Sequence, residues 1–338
     1  MDIHAAVVSS FGNPPRYEPF DLPAPADEDQ ALVDVLAVGL HPRVRTGASG
    51  SHYTSTGKLP MVPGVDGVGR RADGRLVYFV ADDELVGPMA TRTVIDSRHS
   101  IPLPDGADVV KIAAAMNPAM SSWVALRRRV PIEAGQSVLI LGATGNAGQM
   151  AVQVAKRLGA GRVVGAGRDQ ARLATLPGIG ADATVALTDD ADATAAALAK
   201  EAAEVDLVID YLWGKPAGDA IMALLQARAD RSRALNWIQI GAMAGPTIEL
   251  PSVALRSANF RLQGNGQGAV STRTYLEELP SLVDEIEAGG LTVTAEAVPL
   301  ADVESAWSAP EVPGVRTVLV PSRRQDRHAV RTGVTEGA

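Results

Sequence analysis

The chain contains no cysteine, and this absence excludes several kinds of chemistry at once. Without thiols there can be no disulfide, no cysteine nucleophile and no thiolate zinc site. Histidine is also scarce, and no two of the five have the spacing of metal ligands on a helix: His4, His41, His52, His99 and His328. We therefore expect a protein without a bound metal ion.

Aromatic residues make up only 4% of the 338 residues, and the formal net charge is −8. No basic stripe is present, which argues against nucleic acid as a partner. No long uninterrupted apolar span is present, and no basic segment precedes an apolar run near residue 1. We expect a soluble, cytoplasmic protein without a membrane partner, and its length suits two domains.

A glycine-rich segment in the middle of the chain organises the rest of the sequence. Ser137–Leu141 are predominantly apolar and read as a buried strand, followed by Gly142, Gly145 and Gly148 in the spacing G-x-x-G-x-x-G. Apolar residues at helical spacing come next, and then a second strand over 162–166. Such glycines let a backbone approach a pyrophosphate, which the helix N-terminus binds through its N–H groups. The segment predicts dinucleotide binding; the alternative is a tight turn of any α/β protein.

The predicted pyrophosphate site consists of the turn and the first residues of its helix. Backbone amides supply the hydrogen-bond donors, so side-chain identity matters less than backbone geometry. The residues concerned are Gly142, Thr144, Gly145, Asn146, Ala147 and Gly148.

The residues after the second strand distinguish the two nicotinamide dinucleotides. An acidic side chain there would bind the ribose of NAD, whereas an arginine favours the 2′-phosphate of NADP. Here the strand ends in Gly167 and Arg168, and Asp169 follows. Gly167 has no side chain to repel a phosphate, and Arg168 can offer it two N–H groups. We expect NADP(H), with the alternative that Arg168 is a solvated surface residue and Asp169 caps the next helix.

Secondary-structure patterns divide the chain into two kinds of region. The first hundred residues contain short strands and turns, with a polar stretch of no regular period over 41–59. Residues 108–130 are helical, with an interruption at Asn117 and Pro118. From Ser137 onward strands and helices alternate, which predicts an α/β fold with a doubly wound parallel sheet.

Open parallel sheets bind ligands at the carboxyl ends of their strands. Five further cofactor candidates follow predicted strands of this region: Tyr211, Gly241, Ala242, Gly264 and Asn265.

Several motifs, in this order, carry a resemblance to a known family. They are AVGLHP at 37–42, VPGVDGVG at 62–69, SSWVAL at 121–126, the glycine-rich segment, and VDLVIDYLWG at 205–214. Over about residues 1–320 the chain resembles the medium-chain dehydrogenase/reductase superfamily, and within it the zinc-free quinone-oxidoreductase branch.

The resemblance implies two domains. Residues 1–117 and 265–321 would form a β-rich, GroES-like catalytic domain, and residues 118–264 a Rossmann domain, with ligands in the cleft between them. Residues 322–338 would be a disordered tail. Ser121 falls where the family often has a threonine near the nicotinamide, although it could equally be a backbone-bonded serine. Members commonly dimerise, often through the edge of the dinucleotide domain, so a homodimer is expected, and the strand before Ala242 is a candidate for the interface.

The chain also departs from the zinc-dependent relatives. They have cysteine where this chain has GLHPR and a histidine–glutamate pair where it has VDG, and His41 with Asp66 cannot supply three ligands. We expect NADPH-dependent hydride transfer to a quinone or an α,β-unsaturated carbonyl, whose oxygen is stabilised by hydrogen bonds alone. The candidate donors are His41, Tyr53 and Asn117. The alternative is an NADPH-binding redox sensor or structural protein with little catalysis.

Overall fold

The computed structural model describes residues 1–52, 54–81, 86–266, 268–310, 312 and 314–321. By its internal contacts the chain divides into two compact units. The first comprises Met1–Ala114 and Ala295–Glu311 and continues from Arg316, and the second comprises Ala115–Thr294 and Val312–Val315. The 322–338 segment, for which a disordered tail was predicted, lies outside the described residues.

The elements of the first hundred residues are mostly strands. In chain order they are β1 Asp2–Val7, β2 Arg16–Asp21, β3 Gln30–Gly39, α1 Pro42–Ala48, β4 Asp66–Arg71, β5 Leu76–Val80, β6 Arg92–Asp96 and β7 Ser100–Pro102.

Helices and strands alternate through the middle of the chain. These elements are α2 Val109–Val124, β8 Ser137–Leu141, α3 Asn146–Arg157, β9 Arg162–Gly167, α4 Gln170–Leu173, β10 Ala183–Ala186, α5 Ala191–Ala202, β11 Leu207–Asp210, α6 Gly214–Ala227, β12 Leu235–Gln239, α7 Ser252–Arg256, β13 Phe260–Gly264 and α8 Thr272–Glu287. The chain then returns through β14 Thr294–Pro299, α9 Val303–Ser308 and β15 Val315–Val320.

The first unit is built on a mixed sheet in the order β14-β15-β3-β4-β5-β7, with β6 also paired to β3 and with a separate β1-β2 pair. Burial alternates along β3, where Val33 and Val35 are buried and Asp34 is exposed, as its apolar–polar pattern predicted. The expectation of no regular structure after residue 40 is wrong for α1. This helix is too short to show a period, and Pro42 starts it with a pre-set φ.

The second unit contains a parallel sheet in the order β10-β9-β8-β11-β12-β13. Numbered from β8, this is the 3-2-1-4-5-6 order of the Rossmann fold. Fully buried residues such as Leu139, Val164, Ile221 and Trp237 form its core. The predicted fold class, a Rossmann sheet with a second, β-rich domain, is confirmed.

Residues 265–294 belong by their contacts to the unit of the parallel sheet, whereas the resemblance assigned them to the β-rich domain. The helix α8 explains this difference. Its Glu278 is paired with Arg127 and Arg128, and its Glu285 accepts a hydrogen bond from Arg157 at 2.5 Å.

The predicted interruption at Asn117 and Pro118 is wrong, because α2 runs through Pro118 without a break. Ile112 and Trp123 are among its many buried residues, and their packing outweighs the cost of roughly 3 kcal/mol of an internal proline. The 21 residues Val109–Arg129 are long and apolar enough to cross a membrane, by length and composition only. Since 67% of the apolar window is buried inside the protein, this is a core helix, as in a soluble protein.

The close approach of α3 to β8 yields a stability prediction. At Gly148 a Cβ atom would meet the Gly142 carbonyl and lie 2.6 Å from the Ala143 Cα, and these backbone atoms cannot rotate away. We expect Gly148→Ala to lower the free energy of unfolding in urea by about 1–3 kcal/mol. The control is Gly178→Ala, where a Cβ would meet no atom within 4 Å, and which should not destabilise. Equal effects at both positions would contradict this account.

Candidate cofactor and substrate site

The strand order of the parallel sheet reverses between β8 and β11, and their carboxyl ends lie side by side. Gly142 follows β8 with φ +85°, and a Cβ there would lie 3.3 Å from the Tyr211 Cβ after β11. In open α/β sheets this switch point forms the crevice that binds ligands. The glycine-rich turn therefore lies where a dinucleotide is expected.

The turn presents the N-terminus of α3 without a capping side chain. Gly145 is the N-cap residue, is exposed, and makes no side-chain cap hydrogen bond. The first N–H groups of a helix have no partner within it, so those of Asn146, Ala147 and Gly148 are available to an anion. The side chain of Asn146 donates to the Val315 carbonyl at 3.4 Å, and its buried Oδ1 has no hydrogen-bond partner among the described residues. This arrangement fits a pyrophosphate.

The carboxyl end of β9 lies next to that of β8 and places the residues predicted to select the cofactor. Gly167 is buried, and a Cβ there would lie 2.6 Å from the Thr144 Cγ2, so a side chain at 167 would displace Thr144. Asp169 accepts a hydrogen bond from the Arg172 N–H at 3.1 Å and caps α4. Arg168 is exposed, and none of the described residues pairs with its guanidinium. The carboxylate of Asp169 is therefore occupied as a helix cap, whereas the guanidinium of Arg168 is available to bind a ligand.

Three of the predicted cofactor residues form one hydrogen-bonded group at the ends of β11 and β13. The Ser121 and Tyr211 hydroxyl oxygens are 3.0 Å apart, and the Asn265 amide donates to the Ser121 carbonyl at 2.9 Å. Burial raises the pKa of Tyr211 to about 12, so its hydroxyl stays protonated. The Asn265 Oδ1 is buried, and no residue in the described part of the chain bonds to it. These contacts join α2 to the half of the sheet formed by β11–β13.

Gly241 and Ala242 follow β12 on the same edge of the sheet. A Cβ at Gly241 would lie 2.6 Å from the Tyr211 carbonyl oxygen, so only glycine lets the two backbones pass. Ala242 is exposed beside it. Gly264, the last residue of β13, precedes Asn265.

Asp210, whose role the sequence patterns did not reveal, is fully buried at the end of β11. One carboxylate oxygen accepts from the Leu212 and Trp213 N–H groups at 2.8 and 3.0 Å, and the other accepts from the Trp237 indole at 3.0 Å. Burial raises the pKa of this carboxyl, against the effect of these bonds. Trp213 has φ +52°, a strained conformation for a bulky residue, and Asp210 holds it. The signal in the sequence was the position of Asp210 at the end of a predicted strand, four residues before Gly214.

The β-rich unit contains a buried polar group around His41. The His41 Nε2 lies 3.4 Å from the Asp66 Oδ1, and the Tyr78 hydroxyl donates to the Asp66 Oδ2 at 2.8 Å. His41 and Asp66 are both 2% exposed. Burial lowers the pKa of His41 despite the Asp66 charge, and Arg316 and Arg43 act in the same direction. The imidazole is therefore neutral at pH 7, and its role as a hydrogen-bond donor to substrate stays a prediction.

The other two candidate donors also remain predictions. Tyr53 lies outside the described residues. Asn117 is half-buried in the continuous helix α2, four residues before Ser121 and thus on the same face. Within the described part of the chain, no three His, Asp or Glu side chains form a group that could hold a metal ion.

Comparisons with known proteins agree with this architecture. The family model described as zinc-binding dehydrogenase matches residues 147–278. A probable NADPH-dependent quinone reductase of Emericella nidulans is 29% identical and covers 94% of this chain and 100% of its own length. These findings support the quinone-oxidoreductase-like branch of the medium-chain dehydrogenase/reductase superfamily for this chain. The resemblance inferred from the ordered motifs is thus confirmed.

Solved structures of quinone oxidoreductases share the fold. A mycobacterial quinone oxidoreductase has a TM-score of 0.79 at 21% identity, over 94% of this chain and 100% of the other. The quinone oxidoreductase of Thermus thermophilus has a TM-score of 0.76 at 25% identity, over 95% of this chain and 100% of the other.

The buried His41 of this quinone-oxidoreductase-like chain predicts a pH dependence of stability. Its folded pKa lies below 6.5, so below that pH the unfolded chain binds a proton that the folded chain does not. The free energy of unfolding should therefore fall as the pH drops from 6.5, by at most about 1.4 kcal/mol per unit for this group. His41→Asn should remove that part of the slope in urea titrations at pH 5.5 to 7.5.

The control is the exposed His4, whose replacement by Asn should keep the wild-type slope. Parallel curves for the wild type and His41→Asn would contradict the expected contribution of His41.

Proposed function

We propose that this protein is an NADPH-dependent oxidoreductase that transfers hydride to a quinone or an α,β-unsaturated carbonyl compound without zinc. The observation that most supports this proposal is the N-terminus of α3, which lies at the switch point of the sheet without a capping side chain. Arg168, at the end of the neighbouring strand β9, pairs with none of the described residues. The Emericella nidulans relative, similar over its whole length, is named a probable NADPH-dependent quinone reductase. This name supports the choice of substrate class.

The cofactor is NADP(H), and the residues of the parallel-sheet unit fit it. The amides of Asn146 and Ala147 would hold the pyrophosphate, and Arg168 would bind the 2′-phosphate with its planar fork. The nicotinamide half would lie over β11–β13, since each half of such a sheet binds one mononucleotide. Ser121, Tyr211, Gly241, Ala242 and Asn265 surround that half.

Bound NADPH supplies the hydride, and the protein has to orient the substrate and stabilise the negative charge that develops on its oxygen. We propose that this stabilisation comes from hydrogen bonds, with His41, Tyr53 and Asn117 as the candidate donors. Quinones and enones are electrophilic enough to react with such help. The donor set supports a zinc-independent reaction, because the chain has no cysteine and His41 with Asp66 provides only two ligands.

We further propose a cytoplasmic homodimer. The strand before Ala242, the candidate named from the sequence, is β12 and is paired on both sides with β11 and β13. The edge strand β13 would instead pair with a second copy. Three large apolar side chains near it in sequence support this edge, since they are strongly exposed: Met243 at 71%, Val253 at 47% and Leu255 at 54%.

The choice of cofactor can be tested by fluorescence titration of the purified protein with NADPH and NADH. We expect NADPH to bind more tightly, and Arg168→Ala to weaken its binding at least about ten-fold through loss of a charge-assisted hydrogen bond. Binding of NADH should change little. Arg162→Ala is the control, because Arg162 lies at the opposite end of β9 and pairs with Glu201.

Equal affinity for both dinucleotides would contradict the role of Arg168 but leave dinucleotide binding intact. Binding of neither would contradict the assignment of the glycine-rich turn.

The reaction can be tested by following NADPH oxidation with a panel of quinones and enones. The donor that polarises the carbonyl should be identified among His41→Gln, Tyr53→Phe and Asn117→Ala by a fall in kcat of about 100-fold. The dissociation constant of NADPH should be unchanged in that variant. Asn13→Ala, in an exposed turn, is the control. Tight NADPH binding without turnover on any acceptor would favour the redox-sensor alternative.

A further inference from the structure

Apart from the proposed cofactor site, the parallel-sheet unit has a pocket at the edge where β8 begins. It is an open groove rather than an enclosed cavity, and its volume is about 420 Å³. The helix α3 starts at the glycine-rich turn and runs for 12 residues, about 18 Å, before Leu158 reaches the pocket. The pocket is therefore separate from the proposed cofactor site. Its apolar wall consists of Leu126, Pro131, Ile132 and Leu158.

Two arginines and a buried glutamate complete the pocket. The Nε atoms of Arg127 and Arg128 both donate to the carboxylate of Glu278, which is 2% exposed. The preceding helix ends in a wide π-helical turn, closed by the Val130 N–H on the Ala125 carbonyl at 2.9 Å. This turn lets consecutive arginines face the same carboxylate, and such turns are common at functional sites.

The positive charge of the pocket lining is only partly neutralised. Glu278 balances one of the two guanidinium groups. The half-exposed Glu277 lies 3.8 Å from the Arg128 Nη2 and pairs more closely, at 3.2 Å, with Arg273 outside the pocket lining. The Arg127 Cζ also lies over the Trp123 ring, 5.1 Å from its centroid, in a cation–π contact that helps to hold the guanidinium in place. Among the described residues no acceptor bonds to the Arg127 Nη atoms, and its side chain is 41% exposed. Glu278 holds the Nε atom, so the outer N–H groups of Arg127 remain free for a ligand.

We propose that this pocket binds a small apolar molecule that carries one carboxylate group. A monoanion matches the single excess charge of the lining, and a carboxylate matches the planar fork of a preoriented guanidinium. The apolar wall would bury the hydrocarbon part of the ligand.

The probe for this site is sodium octanoate, titrated calorimetrically at constant ionic strength with and without NADPH. We expect saturable binding that is the same in both conditions, because the two sites are separate. Octan-1-ol and inorganic phosphate, which each lack one of the two features, should bind at least about ten-fold more weakly. Binding of octanoate does not depend on whether the protein reduces quinones, so the two proposals can fail independently.

Arg127→Gln should weaken octanoate binding at least about ten-fold, since it removes one charged donor while Arg128 still holds Glu278. Arg75→Gln is the charge-matched control, at a side chain 75% exposed in the other unit, and should bind like the wild type. Leu158→Trp should also abolish binding by filling the apolar wall, with the ion cluster intact. Absence of saturable binding, equal affinity of the Arg127 and Arg75 variants, or unchanged binding by Leu158→Trp would each overturn the proposal.

Discussion

The close passage of backbone against backbone around the glycine-rich turn is the constraint on which the cofactor site depends. Gly148 lets α3 start directly over the carbonyl of Gly142, and Gly241 lets the segment after β12 pass the Tyr211 carbonyl. These contacts bring the uncapped N–H groups of α3 to the switch point of the sheet. Because the donors are backbone atoms, the packing of the fold itself forms the proposed anion site.

Asp210 fixes the backbone at the end of the neighbouring strand, β11. Its carboxylate holds the turn after β11, and the strained backbone of Trp213 persists because those hydrogen bonds are buried. The turn in turn positions Tyr211 against Ser121, and Asn265 joins the same group from β13. One side chain in the core therefore governs the conformation of the half of the site proposed for nicotinamide.

Much of this fold could be predicted from the sequence, because its signals are local. The glycine spacing and the alternation of strands and helices lie within short windows, and they indicated the Rossmann sheet. The unbroken helix through Pro118 could not be predicted, since burial by distant residues decides it. The pairing of Arg127 with Glu278 spans 151 positions, and only the folded chain brings those side chains together. The burial of His41 beside Asp66 depends on tertiary structure in the same way.

The pairing of β15 with β3 has a consequence for the order of folding during synthesis. Val318 and Leu319 lie opposite Gly39 and Val38, so the central sheet of the β-rich unit needs residues from both ends of the chain. The segment Ala115–Thr294, by contrast, makes up nearly all of the other unit. On the ribosome the parallel sheet can therefore form first, while the Val38–Gly39 end of β3, beyond its pairing with β6, lacks its partner until β15 emerges.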